Sequence, residues 1–236
     1  MSTSLKIVRI HNELLGTYGD QGNADVLSFR AKARSVEAGV LDVSYLDVMP
    51  TDGDIYLMGG AEDAAQLLSL EALQRDNNLQ VAVERRAVLL AICAGFQIIG
   101  NSFEASGKKV AGLGLLNIDS ASGANIGKKR FVGDIKIKSE VVGCELTGFE
   151  NHAGYTTLAA GVQPLGSVTV GHGNGDDKYD GAVSGNIFGT YLHGPVLARN
   201  PEFADLLLSR ALGEPLEPFN DHLATQYAEW RRKVTK

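Results

Sequence analysis

"LLAICAGFQIIG", residues 89–100, is the stretch that decides how this chain folds. The run just before and into it, "AVLLAI" (87–92), is continuously apolar. Strands covered on both faces of a parallel sheet have this pattern, whereas half-exposed strands alternate. The run meets Cys93 and then Ala94 and Gly95, and "FQIIGNSF" follows with a helical pattern. A cysteine at this place has two readings. It can be a small core residue. It can also be a nucleophile on a sharp strand–turn–helix elbow above the sheet edge. The elbow needs small neighbours, and Ala91 and Gly95 supply them. The helix N-terminus would stabilise a thiolate, and the Ala94 N–H would face a developing oxyanion.

Working outward, "LKIVRIHN" (5–12) alternates and reads as a first strand, followed by the glycine-rich loop "GTYGDQGN" (16–23). Asn23 is positioned to cap a helix that Gly39 would stop. "LDVSYLDV" (41–48) reads as a second strand and "DIYLMGG" (54–60) as a short buried one. "EDAAQLLSLEALQRD" and "LQVAVERRA" read as helices. This order predicts an α/β fold: a doubly wound, mostly parallel sheet with flanking helices, in a single domain over 1–236. From about residue 110 short strands alternate with glycine-rich turns, among them "KRFVGDIKIKS", "GYTTL", "SVTVGHG" and "GNIFGTYLHG". "PEFADLLLSRAL" and "NDHLATQYAEWRRKVTK" close the chain as helices.

Composition narrows the function. The 236 residues carry a net charge of −6 with both signs dispersed, so no basic block exists to neutralise nucleic-acid phosphates. Two cysteines, Cys93 and Cys144, exclude a disulfide scaffold and suit a reducing compartment. No signal peptide and no apolar run long enough for a membrane span are seen, so a soluble cytoplasmic protein is expected. No metal-ligand spacing stands out.

Ligand sites in such sheets lie beyond the carboxyl ends of the strands. Cys93 ends one strand, and the glycine pair Gly59 and Gly60 ends another. That pair could turn a backbone N–H toward the same pocket or be an ordinary turn. A nucleophilic cysteine needs an imidazole to take its proton and later protonate a leaving amine. His193 ends the apolar strand "NIFGTYLH" and is the candidate base. His222 lies on a surface helix. His172, in the loop "GHGNGDDKYDG", could touch substrate or water.

"LMGGAED", "AICAGFQIIG" and "GTYLHGP", in that order, resemble a class I (Cys-type) glutamine amidotransferase domain of the cobyric acid synthase-like branch. "TYGDQGNADVLSFRAKARS", "RFVGD", "ENHAGYT" and "GHGN" are similar to that branch's stand-alone members, the glutaminase subunits of bacterial lipid II isoglutaminyl synthases. The resemblance covers nearly the whole chain. It implies Cys93 as nucleophile and His193 as base, with Gly60 and Ala94 as oxyanion donors. It implies that Gln97 helps hold glutamine and that Arg130 reaches the glutamine carboxylate or gates the pocket. Asn151 and His152 match an Asn-His pair of the family, for which either a site or a packing role stays open.

Three departures stand out. Ala91 replaces a frequent glycine, Gly175 replaces an asparagine, and Pro195 stands where class I domains usually carry the glutamate of the triad. The third triad member must then be another acid, with Asp20 of the first loop as one candidate and a partner's carboxylate as the other. Residues 123–129, "GANIGKK", fail the phosphate-loop pattern. ATP and Mg are therefore expected on a partner, by resemblance the Mur-ligase-like synthetase subunit MurT, acting on lipid II in a heterodimer. Rival readings are the amidotransferase part of a cobyrinate-amidating enzyme and a catalytically silent scaffold of the same fold.

Overall fold

The computed structural model describes residues 4–175 and 178–236. Asp176 and Asp177, in the middle of the 171–181 loop, lie outside the described residues, as do Met1, Ser2 and Thr3. The first half runs β1 (Ser4–Ile10), α1 (Asn12–Leu15), α2 (Gly22–Lys32), β2 (Glu37–Val43), β3 (Ile55–Met58), α3 (Asp63–Leu73), α4 (Asn78–Glu84), β4 (Val88–Ile92) and α5 (Ala94–Ile98). Then come β5 (Ser102–Ala105), β6 (Lys108–Ala111), β7 (Ile118–Ser122), β8 (Phe131–Ser139), β9 (Cys144–His152), β10 (Gly154–Leu158), β11 (Gly166–Val170) and β12 (Tyr179–Asp180). The chain returns through β13 (Ala182–Ser184) and β14 (Ile187–Thr190) to α6 (Val196–Arg199), α7 (Pro201–Leu212) and α8 (His222–Val234).

Among the described residues the strands form three sheets. The largest has the order β13-β14-β4-β3-β1-β2. The strands from β14 to β2 are parallel, and β13 joins the edge antiparallel. Every residue of β3, β4 and β14 is buried, as the continuous apolar runs require of strands covered on both faces. The chain winds from β1 outward to β2, then crosses to β3 and β4 on the other side. The order reverses between β1 and β3, and a crevice opens at such a switch point beyond the carboxyl ends of the strands. The loops after β1, β3, β4 and β14 all reach that edge.

The other two sheets have the orders β10-β7-β5-β6 and β12-β11-β8-β9. The second of them meets the main sheet through Phe149 and His193, whose backbones exchange hydrogen bonds at 3.1 and 2.9 Å. This pairing fixes the main chain of His193.

Three local expectations need correction. β2 stops at Val43, because Ser44 and Asp47 close a polar turn: the Ser44 N–H donates to Asp47 Oδ2 at 3.0 Å. Asn23 does not cap α2, which begins at Gly22 and ends at Lys32, and Gly39 lies within β2. Asn23 is instead buried, and its Oδ1 accepts the Leu197 N–H at 2.9 Å, tying α2 to α6. The helix after Cys93 is also shorter than its pattern implied. It ends at Ile98, and Ser102 and Phe103 enter β5.

Candidate active site

Cys93 stands between β4 and α5 with φ 53° and ψ −105°, a conformation few residues with a side chain adopt. Sheet bonding holds the backbone up to that point, since the Cys93 N–H donates to Thr190 O at 2.9 Å. The helix then starts at once, and Gln97 N–H returns to Cys93 O at 3.0 Å. A Cβ on Gly95 would lie 2.7 Å from Met58 Cβ, so the close passage of α5 over β3 demands glycine there. An outlier backbone at the one cysteine of a strand–turn–helix junction favours the nucleophile reading over the core reading. Ala94 is the first residue of α5, and its N–H precedes any intrahelical acceptor. Cys144, at the start of β9, lies far from such an elbow, and burial pushes its thiol up to about 11.

His193 is buried at 2 % exposure, and its Nδ1 lies 2.9 Å from Asp20 Oδ2. A carboxylate only accepts, so the ring carries its hydrogen on Nδ1 and turns Nε2 away from Asp20. Nε2 has no hydrogen-bond partner among the described residues. Burial opposes charge on this ring, but the Cys93 sulfur and the Asp20 carboxylate outweigh it and raise the His193 pKa to about 10. Tyr18 covers the ring, with centroids 4.7 Å apart. Asp20 is thus the in-chain acid beside His193. Pro195, in the usual glutamate position, packs against α2 at Gly22.

Asp20 is 4 % exposed, and the same Oδ2 accepts the Gly60 N–H at 3.0 Å. This changes the expectation for Gly60. Its N–H is directed at Asp20 and positions the carboxylate, so it is not free to face an oxyanion. The neighbouring Ala61 lines the cavity instead.

That cavity measures about 70 Å³ and holds Cys93, Ala94, Gln97, His152, Tyr18 and Arg130 in its wall. Gln97 is in place, but its amide is engaged at both ends. Oε1 accepts from Gln66 Nε2 at 2.8 Å, and Nε2 donates to Tyr191 Oη at 3.1 Å. Arg130 lies at the mouth. Its Nε donates to Asn151 Oδ1 at 2.8 Å, its Nη2 donates to Tyr18 Oη at 3.2 Å, and Glu62 Oε1 is 3.7 Å away. Asn151 therefore orients Arg130. His152 stacks on Tyr191 with ring centroids 3.6 Å apart.

His172 is outside the cavity wall. It binds the buried Glu150, Nδ1 to Oε1 at 2.8 Å, and stacks on Phe131 at 4.1 Å. Its backbone N–H and that of Gly173 also go to Glu150, which anchors the 171–175 turn. His222 opens α8 and is exposed. Tyr18, Glu62 and Gln66 were not expected at the site. Tyr18 lies in the quoted loop 16–23, and Glu62 and Gln66 lie in the stretch 62–76 read as a helix, but nothing in their spacing marks them.

A buried cysteine, an adjoining imidazole and an acid behind it are gathered above a parallel sheet. Residues 6–201 match the CobB/CobQ-like glutamine amidotransferase domain, and the chain belongs to that family. It is 36% identical to the lipid II isoglutaminyl synthase (glutamine-hydrolyzing) subunit GatD of Streptococcus pneumoniae, over 95% of this chain and 89% of that one. With GatD of Staphylococcus aureus the identity is 38%, over 91% of this chain and 88% of that protein. A probable cobyric acid synthase of Methanococcus maripaludis is 31% identical, but over 66% of this chain and 33% of that protein. Among solved structures, a glutamine amidotransferase superposes with a TM-score of 0.60 at 18% identity, covering 87% of this chain and 98% of the other. PurLQS from Thermotoga maritima does so with 0.57 at 15% identity, covering 90% and 99%. These likenesses bear out the α/β amidotransferase fold.

Proposed function

We propose that this chain is the glutaminase subunit of a lipid II isoglutaminyl synthase, releasing ammonia from L-glutamine for a synthetase subunit. The observation that carries the chemistry is the elbow conformation of Cys93 beside the His193–Asp20 pair. The carry-over to lipid II rests on the two GatD relatives, matched over nearly their full length. The cobyric acid synthases share a third of theirs, so the cobyrinate reading is the weaker one.

In the proposed reaction the carboxamide of glutamine enters the cavity and the Cys93 thiolate attacks its carbon. The Ala94 N–H receives the oxyanion. His193, charged and held by Asp20, gives its Nε2 proton to the departing nitrogen, and ammonia leaves. Water then enters, His193 removes its proton, and the thioester breaks to glutamate and free thiolate. Arg130 at the mouth binds the α-carboxylate, exchanging its Asn151 and Tyr18 bonds for a charge-assisted pair. Gln97 lines the side-chain channel. The consumer of ammonia is a Mur-ligase-like partner, MurT, which uses ATP and Mg to activate the D-glutamate carboxylate of the lipid II stem, yielding D-isoglutamine in the cytoplasm.

Cys93→Ala tests the reading. The complex should lose glutamine-dependent amidation entirely and keep amidation driven by added ammonium. Glutamate release persisting in this variant would overturn the assignment.

A further inference from the structure

His152 is a pocket residue whose chemistry the proposed reaction leaves unused. It ends β9 and lines the cavity with Cys93. Its ring is 3 % exposed and is clamped flat on Tyr191, 3.6 Å between centroids and 9° between planes. Phe131 meets its edge at 5.5 Å. Nδ1 lies 3.0 Å from the carbonyl oxygen of Gly154. A carbonyl cannot donate, so the hydrogen of the neutral ring sits on Nδ1 and Nε2 presents a bare lone pair. The ring is neutral: burial, with His193, Arg130 and His172 nearby, outweighs the Gly154 bond and lowers its pKa to about 3. Nε2 is buried and finds no donor among the described residues.

A buried acceptor without a donor is destabilising, and such a group in a site wall points to a ligand that donates. Of the other two buried histidines, His193 also leaves Nε2 without a partner among the described residues, and that is the atom the proposed reaction uses, whereas neither ring nitrogen of His11 is left buried and unpaired.

We propose that His152 Nε2 is the carboxamide reader of this site, accepting one N–H of the glutamine side-chain amide beside Cys93. The inference rests on the glutaminase reading given above. A primary amide has two N–H groups to give. The carboxylate of the product glutamate has none, and its oxygen would meet the lone pair head-on. One contact therefore both selects amide over acid and weakens product retention. It also holds the nitrogen so that the lone pair formed on attack faces His193, and the released ammonia finds an acceptor at once. A site built to bond a donor discriminates strongly against an analogue lacking it, because its own polar group is left unpaired.

The test compares substrates with and without amide hydrogens in the complex with its synthetase. His152→Phe keeps an aromatic ring on Tyr191 and removes the acceptor. Its kcat/KM for L-glutamine should fall roughly 30- to 100-fold, the equivalent of about 2–3 kcal/mol. Turnover of L-glutamate γ-methyl ester, whose leaving group has no N–H, should change less than about threefold, keeping the amide-to-ester ratio as the readout. Alkylation of Cys93 by 6-diazo-5-oxo-L-norleucine should proceed at the wild-type rate, which reports an intact fold and nucleophile. Glutamate should inhibit the variant more strongly than the wild type. His152→Gln, which restores an acceptor near Nε2, should recover part of the amide rate. Equal loss of amide and ester turnover, or loss of alkylation in both variants, makes His152 structural and overturns the proposal. An unchanged amide rate does so as well. Absence of glutamine hydrolysis in the wild-type complex would instead refute the glutaminase reading itself.

Discussion

Replacing Asp20 by Asn separates charge from shape at the base. Asp20 Oδ2 accepts from His193 Nδ1 at 2.9 Å and from the Gly60 N–H at 3.0 Å. An asparagine oxygen can keep both contacts and lose the charge. A bond to a charged group contributes about 1.5–3 kcal/mol against about 0.5–1.5 for a neutral one, and the midpoints of these ranges put the lower end of the loss at about 1 kcal/mol. The attraction of carboxylate for imidazolium sets the upper end. At about 4 Å between charges and an effective dielectric near 20 it is about 4 kcal/mol. With 1.36 kcal/mol per decade, these bounds span roughly 5-fold to 10³-fold, and we expect kcat to fall about 10²-fold. KM should stay within about threefold, because Asp20 is absent from the cavity wall. The alkaline limb of the rate profile should move to lower pH, since Asp20 is one of the groups raising the His193 pKa. The assay is glutamate release at saturating glutamine, with and without the synthetase. Full activity of Asp20→Asn in the complex would refute the argument and point to a carboxylate supplied by the partner.

Arg130→Ala should raise KM for glutamine about 10- to 100-fold, the equivalent of one charge-assisted contact, with a smaller change in kcat; an unchanged KM in steady-state kinetics would exclude Arg130 from substrate binding. Gly95→Ala should destabilise the fold by about 1–3 kcal/mol, since the new Cβ would lie 2.7 Å from Met58 Cβ and 3.2 Å from Gly59 O. Denaturant unfolding measures this, and a neutral result would mean α5 can shift off β3. Acid should weaken the fold: burial lowers the pKa of His152 to about 3 and of His11 to about 4, so unfolding below pH 6.5 takes up two protons. Asp180, which burial raises to about 7, is protonated in the folded state over the same interval and returns one. The unfolded chain thus binds about one more proton than the native chain, and stability should drop by about 1.4 kcal/mol per pH unit between about pH 6 and 5. Denaturation midpoints that coincide at the two pH values would show that these rings are not held neutral.

The parallel sheet was legible because burial on both faces writes itself as an unbroken apolar run, and 87–92 and 55–58 are such runs. The ends of elements were less legible. Whether Asn23 caps a helix depends on where Leu197 lies, 174 residues on, and no local pattern records that. Cys93 could be picked out because it follows a buried strand directly, and His193 because it comes three residues after the end of another. Asp20 could be named only as one of two possibilities, since its pairing with His193 joins loops 173 residues apart. Gly60 illustrates the remaining gap. A glycine pair at a strand end shows that two backbones approach closely, but which carboxylate takes the N–H is a property of the assembled loops.

The backbone of Cys93 sets function against stability. A non-glycine residue held in a sparsely populated region costs of order 1–3 kcal/mol, a sizeable fraction of the net stability of a domain. Around it are five buried residues of β4, the Thr190 contact and the first turn of α5, so the cost is carried by neighbours that cannot rearrange separately. The chain is therefore kept below its attainable stability at the very residue proposed as its nucleophile. Glycine at position 93 would relieve the strain that alanine keeps, and the inactive glycine chain would be the sturdier protein. Drift toward a silent scaffold would thus be downhill in folding free energy, and, on the proposed function, the thiol at this turn is held only by selection for the reaction.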